Sequence, residues 1–501
     1  MSEFDTLASY LSVAPEIGLT ILLLIVLAFS VARREVERAA VPYIAGFGMI
    51  ALAALPLIFA PGDANSTIPE GLYWGGMIRY DVLAQVFRVM ILLAGGITAL
   101  MASGVRGVGR RGEFYIVIIV ATLGMSLMSA SADLVMVFVA LETTSIPLYI
   151  LAAFKRDDTR SAESGIKYFL FGSFASAIML YGLSLLYGFT GQTNIYQLAA
   201  FMGSDAFANN LVPVLASMVL VVVGFGFKVS AVPFHFWTPD VYEGAPTPVT
   251  GYVSVASKAA SFALLVRFFV AVYPETLALS GESLQNFWIQ LMAVFAVLSM
   301  TLGNVLALSQ KNIKRLLAYS SIAQAGYTLI GVAAIQSQEL SIASVGFYMF
   351  MYTFTNLAAF TVVILFSEAT GSETIADLAG LNRRSPWLAL AMTIALLSLA
   401  GIPPTAGFFG KFFVFNAAVR SGLTWLAVVG VLNAIVALYY YLVVIKVMYV
   451  DRSEDEDKPI PVGRQYVWVL WATSLIVIVL GTVGAQTVYD WAARGAMGLF
   501  T

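Results

Sequence analysis

The sequence predicts an all-α polytopic membrane protein of about 14 transmembrane helices, read as a single domain over 1–501. Three observations carry that expectation. Hydrophobic residues make up 60% of the chain and charged residues only 11%, where soluble domains carry roughly 25% charged residues. Apolar stretches of about 20 residues, the length that crosses a bilayer, recur along the chain. Lys and Arg gather in alternate loops, as they do on the cytoplasmic side of membrane proteins.

The spans fall near 15–32, 42–60, 80–103, 113–130, 132–154, 166–189, 211–231, 245–272, 287–308, 314–335, 341–367, 386–418, 423–450 and 465–487. The loop Ser129–Ala132 is so short that 113–154 could be read as one long helix, and the topology then fails. With two spans there and the N-terminus outside, the inside loops hold Arg33, Arg34 and Arg38, then Arg106, Arg110 and Arg111, then Lys155, Arg156 and Arg160. Lys311, Lys314 and Arg315 follow, then Arg383 and Arg384, then Arg452, Lys458 and Arg464. Only Arg79, Arg420 and Arg494 lie in outside segments. Both termini are therefore expected outside, in a bacterial plasma membrane rather than an organellar one. The N-terminus is acidic before the first apolar run (Glu3, Asp5), unlike a signal peptide.

Composition excludes several functions. Cys is absent and His occurs once, so thiolate-held iron–sulfur clusters and tetrahedral zinc have no ligand set. A net charge of −2 offers nucleic acid no basic surface. Gly104–Gly112 lacks the strand–loop–helix setting of a phosphate cradle and reads as a turn with topogenic arginines. The acidic run Asp451–Lys458 reads as a solvated loop.

Seven cations remain inside spans: Arg88, Lys167, Lys228, Lys258, Arg267, Lys411 and Lys446. A charge at the bilayer centre costs about 2.5–3.5 kcal/mol on insertion scales. Those near span ends can snorkel to the interface, which suits Arg88, Arg267 and Lys446, and by position Lys167 as well. Lys228 follows 17 uncharged residues. Lys258 sits mid-span among small residues that permit close packing. Lys411 follows Gly-Ile-Pro403-Pro404-Thr-Ala-Gly-Phe-Phe-Gly, which predicts a broken helix lining a buried cavity. Glu142 reads as the one deep carboxylate. Desolvation pushes a lysine toward deprotonation and a nearby carboxylate opposes it, so moving that carboxylate would load or unload a buried lysine. Pro233 predicts a second break between Lys228 and His235, and imidazole suits a relay between lysines. Breaks in spans 7 and 12 suggest two inverted five-helix repeats, spans 4–8 (113–272) and 9–13 (287–450).

The run from Phe227-Lys228-Val-Ser-Ala-Val-Pro-Phe-His235 to Val-Tyr-Glu-Gly-Ala-Pro-Thr-Pro-Val-Thr250 resembles the signature of the antiporter-like membrane subunits of respiratory complex I. Gln310-Lys-Asn-Ile-Lys-Arg-Leu-Leu-Ala-Tyr-Ser-Ser-Ile-Ala-Gln-Ala-Gly326 and Gly401 to Lys411 are further matches, and the resemblance covers roughly the whole chain. It implies a 14-helix fold with discontinuous helices 7 and 12. It also implies roles: Glu142 as the fifth-helix glutamate, Lys167 as its sixth-helix partner, Lys228 as the central proton-bearing lysine, His235 and Lys258 as the bridge, and Lys411 as the exit-side lysine. Lys167 thereby leaves the snorkelling group. Many relatives carry His where this chain has Gln324. NADH, FMN, iron–sulfur clusters and quinone are expected in partner subunits, with no cofactor in this chain. The expected partners are a neighbouring antiporter-like subunit of the M type, the small K/J-type subunits and the lipid bilayer.

Three functions follow from different premises. A proton-translocating subunit of NADH:quinone oxidoreductase fits deep lysines in a chain with no ligand set for a redox centre. A subunit of a multi-subunit cation/proton antiporter shares the motifs and would work without quinone. A scaffold whose charges only lock helix register leaves three deep lysines against one carboxylate unexplained.

Overall fold

The computed structural model describes residues 7–31, 35–62, 68–204, 207, 210–455 and 458–500. Arg33 and Arg34, placed above in the first inside loop, lie outside the described residues, as do Glu3 and Asp5. Long apolar helices dominate. Spans 1 to 6 are Ala14–Val31, Glu35–Leu52 with its extension Leu55–Ile58, Val82–Ala102, Gly112–Ala130, Leu134–Ala152 and Thr159–Thr190. The 113–154 segment is thus two helices. Asp133 caps the second, accepting from the Val135 amide at 2.8 Å, so one polar residue suffices to turn the chain.

Span 7 is discontinuous: Leu211–Val229, then a short helix Trp237–Gly244. Span 8 runs from Thr247 to Val272 as one rod, with a π turn at Val253–Ser257 directly before Lys258. Nothing in the sequence marked that turn. Spans 9 to 11 are Leu284–Ala307, Ile313–Ala333 and Glu339–Thr370. Span 12 is also discontinuous, Pro386–Ala400 followed by Ala406–Arg420. Span 13 is Thr424–Tyr449, and span 14, Arg464–Leu480, bends by 81° into a final helix, Ala485–Phe500. Two small antiparallel hairpins, Gly71–Tyr73 with Ile78–Tyr80 and Ala278–Leu279 with Glu282–Ser283, lie on the side where span 1 begins.

Burial sorts the helices. Spans 8, 10 and 11 are almost wholly enclosed by protein, while spans 1 and 13 keep most of their surface outward. The outward residues are apolar (Ile21, Leu24, Leu432, Ile435). That is the pattern of helices facing lipid around an enclosed centre.

The structure corrects two expectations. Arg88 and Arg267 do not snorkel, for both are fully buried and paired. Arg267 forms a two-pronged bond to Asp81 at 2.7 and 2.8 Å, and Arg88 reaches Glu16 at 2.9 Å. Asp81 and Glu16 are therefore buried carboxylates, while Glu142 is half-buried with one oxygen enclosed. Both sit at helix starts, so sequence position concealed their depth. Nearby, burial raises the Glu70 carboxyl above its ordinary value, and the Asp81 charge adds to the rise. Lys446 does stay exposed, paired with Asp451 at 3.2 Å. Asp81→Ala would strand a buried guanidinium, at a cost of about 3–5 kcal/mol. The expected outcome is a clear drop in thermal stability of the purified assembly, and an unchanged melting profile would refute a structural role for the pair.

Candidate functional site

The two breaks create the site. The first piece of span 7 ends at Val229, and Ser230 takes a left-handed conformation with φ of 62°. The amides of Ser230 and Ala231 and the Trp237 indole then bond back to the freed carbonyls of Gly226 and Phe227. Those bonds satisfy a helix end deep in the protein. They also leave Lys228, 4% exposed, in the last turn, where the helix dipole favours a cation. Its ammonium donates to Ser145 Oγ at 2.5 Å and lies 5.8 Å from the centre of the Tyr149 ring. Glu142 is one turn from Ser145 on span 5, and its Oε1 is buried without a hydrogen bond to protein.

Span 12 repeats the device. Gly401 ends its first piece with φ of 88°. Lys411, 5% exposed, reaches back from the second piece to the carbonyls of Leu399 and Ala400 at 3.1 and 2.7 Å. A cation thus meets carbonyls that lost their helical partners. A Cβ on Gly401 would stand 2.8 Å from Lys411 Cδ. Gly401→Ala combines that clash with a backbone costing about 1–2 kcal/mol for a side-chain-bearing residue. Lower yield of assembled protein is expected, and wild-type yield and stability would contradict it.

Between the breaks, Lys258 donates to the Ser321 carbonyl and hydroxyl at 2.7 and 2.6 Å. Tyr352 donates to the same hydroxyl at 2.8 Å, and Asn356 joins Tyr352 to Ser254. One turn further along span 10, Gln324 accepts from Tyr348 and donates to the Leu399 carbonyl at 3.0 Å. That carbonyl also takes Lys411, so Gln324 stands between the Lys258 network and Lys411. A buried amide hydrogen-bonded on both ends fixes its neighbours without itself titrating.

The predicted residues are not all brought together. Glu142 lies near enough to Lys228 for its charge to act there but forms no ion pair with it, and Lys258 and Lys411 lie on one polar line. His235 is buried, with its ring 4.6 Å from that of Phe236 and Nδ1 unpartnered, and no hydrogen bond links it to either lysine among the described residues. Lys167 pairs with Glu163 at 2.7 Å and Asp240 at 2.6 Å, not with Glu142. Asp240 also holds Arg315, which bonds Glu243. This cluster ties the short helix of span 7 to spans 6 and 10. Sequence reading missed Lys314, counted there as a loop cation. It is buried at the start of span 10, donating to the Ala245 carbonyl and Glu373. Its position between Asn312, which caps that helix, and the apolar run was the available signal. Asp240→Asn would weaken partly exposed ion pairs worth about 0.2–1 kcal/mol. A small stability loss with assembly intact is expected, and complete failure to assemble would contradict this.

These features define a class: a polytopic membrane protein whose two broken helices each hold a buried lysine beside the break. Residues 131–437 match the family described as NADH:quinone oxidoreductase/Mrp antiporter membrane subunits, and the chain belongs to that family. Within it, the chain is 43% identical to NADH-quinone oxidoreductase subunit N of Moorella thermoacetica, over 89% of this chain and 90% of that one. It is 40% identical to subunit N of an Anaeromyxobacter species over 95% of both. A chain of respiratory complex I from Thermus thermophilus superposes with a TM-score of 0.76 at 30% identity, covering 96% of this chain and 99% of its own. A chain of the Mrp complex of a Dietzia species shares the fold, with a TM-score of 0.82 at 20% identity, covering 99% and 98%.

Proposed function

We propose that this chain moves protons across the membrane as the N-type subunit of an NADH:quinone oxidoreductase, through Glu142, Lys228, Lys258 and Lys411. The observation that supports it most is the set of three buried lysines whose ammonium groups rest on neutral acceptors: Ser145, Ser321 and two carbonyls. A structural lysine would be held by a carboxylate, as Arg267 is by Asp81. A lysine on neutral acceptors has no fixed counter-charge bonded to it, so a carboxylate moving toward it or away from it can load or unload its proton. Lys167 and His235 act beside this line, Lys167 through the Asp240 cluster that holds the broken helix.

The inverted repeats 113–272 and 287–450 would place Lys228 and Lys411 at corresponding breaks. Both termini would face the outside of a bacterial plasma membrane. With no Cys and one His, the chain has no thiolate set for an iron–sulfur cluster. NADH, FMN, clusters and quinone would therefore be handled by partner subunits, among them M-type and K/J-type neighbours in the membrane.

The test uses sealed vesicles containing the intact complex in sodium-free medium. Proton uptake driven by NADH and quinone supports the proposal. Proton movement that requires a sodium gradient and ignores NADH would instead make the chain part of a cation/proton antiporter.

A further inference from the structure

We propose that Ser145 is a second seat for the Lys228 ammonium, alternative to the Glu142 carboxylate, and that the proton is held on one and released from the other. This rests on the relay proposed above and assigns a positioning residue within it. The Ser145 hydroxyl donates its hydrogen to the Leu141 carbonyl at 2.5 Å, one helical turn back. Its lone pairs are thereby left for Lys228 Nζ. Glu142, three residues earlier on the same helix, keeps Oε1 buried and without a hydrogen bond. A carboxylate with a free oxygen therefore lies one helical turn along span 5 from the hydroxyl that holds the ammonium.

A flexible lysine stem can swing between such seats with no movement of the backbone. On Glu142 a carboxylate charge stabilises the ammonium. On Ser145 only a neutral dipole does, and the proton leaves more easily. Span 5 turns Glu142 and Tyr149 toward Lys228. Span 6 brings Tyr168, whose ring lies 4.9 Å from that of Tyr149, and Lys167, which is engaged by Glu163 and Asp240. Span 8 contributes Lys258, held on Ser321, and the break itself contains His235. Among the described residues, Glu142 is thus the carboxylate left to compete with Ser145.

The test measures NADH-driven proton uptake by vesicles carrying the whole complex, from neutral to alkaline pH, with assembly checked on native gels. Ser145→Ala removes an acceptor that holds the charged lysine more strongly than the neutral amine. The alkaline limb of the pumping profile should move toward neutral pH by about one unit, the worth of one charge-assisted hydrogen bond. Ser145→Thr keeps the hydroxyl and should restore the wild-type limb. If Ser145→Ala leaves the limb in place, whether or not the rate falls evenly, while Lys228→Ala abolishes pumping, then Ser145 is a packing residue and the relay stands. If Lys228→Ala pumps at the wild-type rate, the relay itself fails, and this inference fails with it.

Discussion

Lys228→Ala is expected to abolish proton translocation, with a loss of at least about 100-fold, the lower end for removing a positioned proton-transfer group. Quinone reduction should fall with it, because an electron-transfer cycle tied to proton movement stalls when the proton cannot move. The substitution also takes a charge out of the interior, so a loss of assembly could mimic a loss of chemistry. Lys228→Arg separates the two. It keeps the charge at Ser145, but a guanidinium does not release its proton in a protein. The arginine variant should assemble and still fail to pump. Lys446→Ala is the control, since that ammonium is exposed at a span end and pairs with Asp451. The measurement is NADH-driven acidification and quinone reduction in the same vesicles. An arginine variant that pumps normally would remove Lys228 from the pathway.

The fold was legible where physics is local. Apolar runs gave the helices, Pro233 and the Pro403–Pro404 pair gave the two breaks, and alternating loop cations supported the short turn at Ser129–Ala132. Depth along the chain also picked out Lys228, Lys258 and Lys411, all of which are buried. Partners were not legible, because they come from distant segments. Arg267 and Asp81 are 186 residues apart, and Lys167 and Asp240 are 73 apart. No periodicity relates such positions, so two ion-paired arginines were read as snorkelling, and the bond from Lys167 to Asp240 was not foreseen. The π turn before Lys258 was hidden for another reason. Val-Ser-Val-Ala-Ser contains no breaker, and the extra residue in that turn is accommodated by packing against spans 3, 4 and 11.

Lys411 poses the sharper question, because its ammonium has two duties. It is placed to carry a proton, and it also caps the carbonyls of Leu399 and Ala400 that the break in span 12 sets free. Without Lys411 the Leu399 carbonyl keeps Gln324, but the Ala400 carbonyl is left unpaired in the interior at a cost of about 1–3 kcal/mol. Lys411→Leu should therefore lose both pumping and assembly, and a null result there would say nothing about chemistry. Lys411→Gln divides the duties. Its amide NH2 can donate to a carbonyl near the break, but it cannot gain and lose a proton near neutral pH. The expected outcome is a complex that assembles, melts close to the wild-type temperature and pumps at least about 100-fold more slowly. Gln324 should feel the change, since it shares the Leu399 carbonyl with Lys411. If Lys411→Gln instead pumps at the wild-type rate, Lys411 only holds the broken helix together, and the polar line must deliver its proton by a group other than the lysine at its end.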